Sequence, residues 1–379
     1  MPTTSSPPAR SRLSGTRRGT PAADALRPAY PDRIAVQIGM ADAPKDFDRQ
    51  LEELAARVDA GELDHVIDVT PPAEQLQRYR ADPELERRLS VEALSQLWSI
   101  TMNVAVPPFD DIHVRRAVAY AIDEEELVAR LVESGSWLAS SQTPTAIAHT
   151  VPDGMERDLL AGYDPYEGGL DCARAEMRAS PYDRRGDDGV CDAAACRGVL
   201  ALSLKGPIPK SVNDLVAESL AEIGIELRIE HLDFAEMDPW VYDETRRVPM
   251  SIGQGWSADY LNPSSFFVPL FSTEAILGSG SNPKMVGASP AQLESWGYTV
   301  TEVPSIDDRI GRCMGTTGSD QLECWVGLDR YLMEEVVPSI PFMQIRTADI
   351  VSPRVASFSF DQFAGVLAFD RIALAPGSA

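Results

Sequence analysis

One stretch of this chain restricts its fold more than any other. Val199-Leu-Ala-Leu-Ser-Leu204 is a short, continuous apolar run of strand length. Val212, Leu215, Val216, Leu220 and Ile223 follow at helical spacing, with Ser211 as a helix cap and Gly224 as its stop. Ile225, Leu227 and Ile229 then alternate as a second strand. A strand, a helix and a strand in this order form a crossover whose strands lie parallel in one sheet. A chain built around it is α/β. At 379 residues it forms more than one domain or one large two-lobed body.

The other elements agree. Residues 33–38 alternate as a strand, and Phe47, Leu51, Leu54, Ala55 and Val58 give a helix closed by Gly61. Residues 65–69 read as the next strand, which would complete another crossover unit. A polar helical stretch runs over 73–89, and residues 98–106 form a strand ending at Pro107-Pro108. Asp110 or Asp111 caps a helix with an apolar stripe at Val114, Ala117, Val118 and Ala121; Asp123 with Glu126 starts another. Residues 134–168 are rich in Ser, Thr, Pro and Gly and read as surface loop. A short strand over 248–256 runs into a turn at Asp259. Helices are expected at 307–312 and 320–337, and strands at 340–345, around Phe358 and Phe360, and over 366–372.

Charge is lopsided, with 34 Lys and Arg against 58 Asp and Glu, a net −24. Nucleic acid and anionic membrane both need a basic surface, so neither is a fitting partner. No run of 18 apolar residues is present to span a bilayer. Residues 1–26, with Arg10, Arg12, Arg17 and Arg18 among Ser, Thr, Pro and Gly, lack the apolar stretch of a secretory signal and read as a disordered tail.

Five cysteines fall in two local groups without metal-site spacing. Cys313 and Cys324 flank a turn-rich loop that a disulfide would staple, and Cys172, Cys191 and Cys196 would supply one more pair and one free thiol. Such pairs belong to an oxidising compartment; five reduced thiols would mean the cytosol. Gly278-Ser-Gly-Ser-Asn-Pro lacks the third glycine or lysine of a phosphate loop. No nucleophile elbow or zinc-protease motif occurs. Asp183, Asp187, Asp188 and Asp192 fit no standard calcium loop and read as a solvated acidic turn. Nothing here makes the chain an enzyme or implies a cofactor.

Several segments in a fixed order carry a resemblance. They are Arg27-Pro-Ala-Tyr-Pro-Asp-Arg-Ile34, Gly61-Glu-Leu-Asp64, Asn103 with Pro107-Pro-Phe-Asp-Asp111, Arg115-Arg-Ala-Val-Ala-Tyr-Ala-Ile-Asp123, Gly255-Trp-Ser-Ala-Asp-Tyr-Leu-Asn-Pro263 and Val337-Pro-Ser-Ile-Pro341. From about Arg27 to Pro376 the chain resembles the C-terminal portion of the family 5 extracellular solute-binding proteins, which serve peptide, nickel and related ABC importers.

The resemblance implies a two-lobed periplasmic-binding-protein type II-like fold, truncated at its N-terminus. Residues 27–100 and 341–379 would be a partial first lobe and 101–340 the second, ligand-binding lobe. It implies a monomer outside the cytoplasm that takes a peptide or related small organic solute and hands it to an ABC permease. In peptide-binding members the aspartate of the Gly-Trp-x-x-Asp turn pairs with the ligand's α-ammonium group, and Asp259 holds that place. Gly255 and Ser257 would offer backbone groups to an extended peptide, and Trp256 and Tyr260 would wall the pocket. The alternatives are an ordinary turn cap at Asp259, and, for the whole chain, a cytosolic ligand-sensing protein of the same fold or a non-functional fragment.

Overall fold

The computed structural model describes residues 10–14, 30–31, 33–37, 47–67, 69–133, 138–140, 168–205, 208, 210–276, 281–361 and 364–377. The chain divides into two compact units. One takes the chain up to Leu94 and again from Arg346; the other is Ser95–Ile345.

The first unit opens with β1 (Arg10–Ser14) paired antiparallel to β2 (Arg33–Gln37), Leu13 opposite Ile34. This corrects the disordered-tail expectation for those five residues, whose backbone pairs with β2. Helix α1 (Phe47–Asp59) turns Ala55 and Val58 inward against Tyr79 of α2 (Ala73–Ala81) and Ile350. Tyr79 and Gln75 donate hydrogen bonds to Asp59, and Arg88 Nη2 reaches it at 3.1 Å. A short α3 (Pro83–Glu86) is capped by Asp82.

The expected strand at 65–69 is absent among its described residues. His65 instead turns into the core, its ring nitrogens 3.4 Å from the Ile350 carbonyl and from Asp349, and Asp64 O accepts from Ser352 N. Side-chain burial holds this segment, so β2 gains no crossover partner there. After the last long strand, short pairs close the unit: Val355–Ser357 with Ala373–Leu374, and Phe360–Asp361 with Val366–Leu367.

The longest strands, β3 (Leu89–Met102) and β8 (Ser339–Ile350), carry the chain between the units. In the second unit they join a six-stranded sheet of order β4-β8-β3-β7-β5-β6. Its other strands are β4 (Leu138–Ser140), β5 (Val199–Leu204), β6 (Leu227–Leu232) and β7 (Met250–Ser257). Of the loop expected over 134–168, strand β4 and Gly168 are the described residues.

The crossover read from the sequence is present. β5 lies parallel to β6, Val199 opposite Leu227, with α7 (Lys210–Ala221) between them in the chain. β3 ends at Met102, short of the expected 106, because Asn103 folds back: its Oδ1 accepts from Ala105 N and its Nδ2 donates to Tyr298 OH. Asp111 caps α4 (Ile112–Ala121), and Asp123 accepts from Glu126 N at the start of α5 (Glu124–Glu133). The buried Arg115 guanidinium donates to Phe109 O and Val336 O; burial pulls its pKa down to about 10.

Helices α6 (Gly169–Ala179) and α8 (Phe234–Val241) flank this sheet's chain order, and α9 (Ser264–Phe271) and α10 (Pro290–Ser295) follow β7. The largest core cluster forms where Phe266 and Phe267 of α9 meet α11 (Asp307–Met314) and α12 (Gly318–Tyr331). Phe267 stacks on Trp325, centroids 5.4 Å apart. A disulfide joins Cys313 to Cys324 across the α11–α12 turn, a second joins Cys191 to Cys196, and Cys172 is free. The helix expected to run to 337 ends at Tyr331 and continues as a π-turn over Leu332–Val336.

Candidate functional site

Strand β7 changes character halfway along. Its first half is buried and lies between β3 and β5; the β5 pairing stops at Ser203 opposite Ile252. Against β3, Ser99 faces Gln254 while Ile100 faces Ile252, so Gly253 is an extra, unpaired residue. Its φ of 86° is one that glycine adopts without strain, which makes it a β-bulge. A Cβ at Gly253 would also sit 2.6 Å from the Ile208 side chain. Beyond the bulge, residues 254–257 stay paired to β3 only, up to Gln96 opposite Ser257. Among the described residues no strand covers their other edge.

The turn that follows is tightly held. Ala258 is buried against Phe266 and Phe267. Trp256 is half-buried and donates from Nε1 to Ser265 O at 2.8 Å. Asp259 N donates to Ser265 Oγ at 2.7 Å, and Tyr260 OH lies 3.1 Å from Ser264 Oγ. Asn262 Oδ1 accepts from both Ser264 N and Ser264 Oγ. Asn262 Nδ2 donates to Gln321, whose own amide donates to Cys313 O. The turn is therefore tied to the disulfide-linked helix pair.

The five residues singled out from the sequence thus lie on one strand end and turn, with Gly255, Ser257, Asp259 and Tyr260 exposed. Asp259 is anchored through its backbone, and its carboxylate makes no hydrogen bond or ion pair among the described residues. The capping of α9 falls to Asn262 instead. What the turn can do chemically is present a fixed, solvated carboxylate beside an open strand edge.

Sequence reasoning missed the groups behind Trp256. A small, partly open pocket is lined by Gly255, Trp256 and Gln254 together with Tyr242, Lys284 and Asp329. Tyr242 OH donates to Gln254 Oε1 at 3.2 Å, and burial, with Asp238 nearby, pushes its pKa up to about 12. Lys284 is 3% exposed, its Nζ 5.0 Å from the centre of the Phe271 ring, and burial pulls its pKa down to about 7. Lys284 follows Asn282-Pro283 in a polar, turn-rich stretch, where nothing in the pattern signals burial. Asn282 makes that burial feasible by donating to Ser272 O and Val286 O.

Comparison with known proteins places this architecture. Among curated proteins, the probable ABC transporter periplasmic-binding protein SapA of Escherichia coli strain K12 is 24% identical over 216 residues, 54% of this chain and 34% of that protein. Among solved structures, the clavulanic acid biosynthesis oligopeptide binding protein 2 superposes with a TM-score of 0.73 at 25% identity, covering 98% of this chain and 62% of that one. The periplasmic binding protein DppA of Helicobacter pylori, solved with the peptide STSA, gives 0.61 at 17% identity over 91% of this chain and 57% of that one. The fold is that of the two-lobed periplasmic binding proteins, and the chain spans less than two thirds of each of these relatives. The family described as bacterial extracellular solute-binding proteins, family 5, middle region, matches residues 27–277, and the chain belongs to it.

Proposed function

We propose that the chain is the substrate-binding component of an ABC importer, that it acts outside the cytoplasm, and that it captures a peptide or related small organic solute for delivery to a membrane permease. Asp259 receives the ligand's ammonium group, and the open edge of β7 at Gly255 and Ser257 pairs with its backbone. The observation that carries this reading is the exposed, unpaired Asp259 carboxylate in a turn held by Ser265. A cationic ligand group needs such an acceptor, because removing an ammonium from water without a counter-charge costs several kcal/mol. The two disulfides support an oxidising compartment.

Thermal-shift screening of the chain against tri- to pentapeptides and their N-acetylated forms tests the reading. Free-amine peptides are expected to stabilise it. Asp259→Ala is expected to abolish that effect while changing the affinity of acetylated peptides less than tenfold, or about 1.4 kcal/mol. Equal loss of both kinds would remove the ammonium role; no stabilisation by any peptide would remove peptides as the ligand class.

A further inference from the structure

Strand β6 is an edge of the six-stranded sheet, with β5 as its one neighbour there. The bonds at its two ends fix which way its backbone points. Val199 N donates to Glu226 O at 2.8 Å, and Lys205 N donates to Leu232 O at 2.9 Å. The parallel ladder between them keeps one register, so Arg228, Glu230 and Leu232 turn their N–H and C=O groups to β5. Leu227, Ile229 and His231 turn theirs outward, where no hydrogen bond meets them among the described residues. An open edge of this regularity is a template for a further strand.

Charge on an edge strand usually discourages pairing. Here the two charges have opposite signs and flank Ile229: Arg228 and Glu230 lie on one face and form an ion pair within the chain. A second β6 laid antiparallel about a two-fold axis at Ile229 sets each Ile229 opposite its copy and each Leu227 opposite a His231. Those are the hydrogen-bonded positions, so all the outward groups find partners. Arg228 then falls opposite Glu230 in a non-hydrogen-bonded pair, where Cα atoms are about 4.5 Å apart, the closer of the two spacings. The edge is therefore complementary to itself. Leu227, Ile229 and Leu232 are only half-buried, and pairing would cover more of their surface.

We propose that the β6 edge is a self-association surface on which two copies of this chain pair antiparallel about Ile229, each Arg228 meeting the partner's Glu230. The resemblance implied a monomer; the dimer stands independently of the function proposed above. Each copy carries a net −24, which opposes association at long range. Physiological salt screens that repulsion beyond about 8 Å, and the charges paired across the edge are closer than this.

Sedimentation velocity over a dilution series of the chain at physiological salt tests the surface. A reversible dimer is expected, and a monomer at every concentration overturns the proposal. Arg228→Glu and Glu230→Arg each set like charges opposite one another at both pairs, and each is expected to weaken association roughly tenfold or more. Mixing the two single variants restores opposite charges at both pairs, so the mixture is expected to form a heterodimer although neither variant dimerises alone. The double variant, Arg228→Glu with Glu230→Arg, is expected to regain the homodimer. A folding defect in either single variant cannot produce that recovery. A dimer indifferent to both substitutions, or no recovery in the mixture and the double variant, places the contact elsewhere and overturns the proposal.

Discussion

The indole of Trp98 fills the space in front of Gly255: a Cβ on Gly255 would lie 2.7 Å from Trp98 Nε1 and 3.0 Å from Cε2. The two residues are direct partners across β3 and β7, so neither backbone can give way without breaking the ladder. Gly255→Ala is therefore expected to cost about 1–3 kcal/mol through forced displacement of the ring. Ser257→Ala, two residues on and exposed, should change stability by less than about 0.5 kcal/mol. Urea unfolding of both variants checks this, and equal effects would mean that Trp98 moves aside freely.

The same pair shows how far the sequence could be read. Gly255-Trp-Ser-Ala-Asp259 was visible as a strand end and turn, because alternation and the polar turn residues are local signals. The parallel β5–α7–β6 crossover was visible for the same reason. That Trp98 faces Gly255 was not, since register between strands more than 150 residues apart depends on the Gly253 bulge, which a lone glycine only hints at. Residues 65–69 misled in the opposite direction: an apolar run of strand type is buried through His65 and carries no ladder. Lys284 escaped notice because a lysine in a polar stretch reads as solvated, and only tertiary packing under Phe271 buries it.

Ser265 should matter to binding more than its distance in sequence from Asp259 suggests. Its hydroxyl accepts from Asp259 N at 2.7 Å, and its carbonyl accepts from Trp256 at 2.8 Å. Ser265→Ala removes only the first bond. The expected loss is about 1 kcal/mol of stability, with a larger fall in affinity for free-amine peptides than for acetylated ones. Calorimetry on both peptide forms reads the split; parallel losses would mean that the turn needs no anchoring at Asp259.

Thiol chemistry gives an independent check on the fold. Titration of the denatured, unreduced protein should find one free thiol, Cys172, and five after reduction. The Cys313–Cys324 pair closes a loop with a sequence separation of 11 residues, so replacing both with serine should cost about 2–3 kcal/mol. Because Gln321, within that loop, accepts from Asn262, ligand binding at the turn should weaken as well. Five thiols without reduction would place the protein in a reducing compartment and count against the proposed role.

The buried ammonium predicts how stability follows pH. Lys284 has its pKa lowered by burial from 10.5 to about 7. Below about pH 7 the folded and unfolded chains both hold the proton, and the full cost of burying it stands. Between 7 and 10.5 the unfolded chain keeps a proton that the folded one has shed, so this residue's contribution to stability rises with pH, by at most about 1.4 kcal/mol per unit. Above 10.5 neither state is charged and the cost is gone. Tyr242, in the same pocket, titrates at about 12, outside this window. Lys284→Met should therefore stabilise the protein by a few kcal/mol at pH 6, and the gain should shrink steadily through pH 9. Urea midpoints at pH 6, 7.5 and 9 for the two proteins measure it. A gain that does not vary with pH would show that Lys284 keeps its charge throughout.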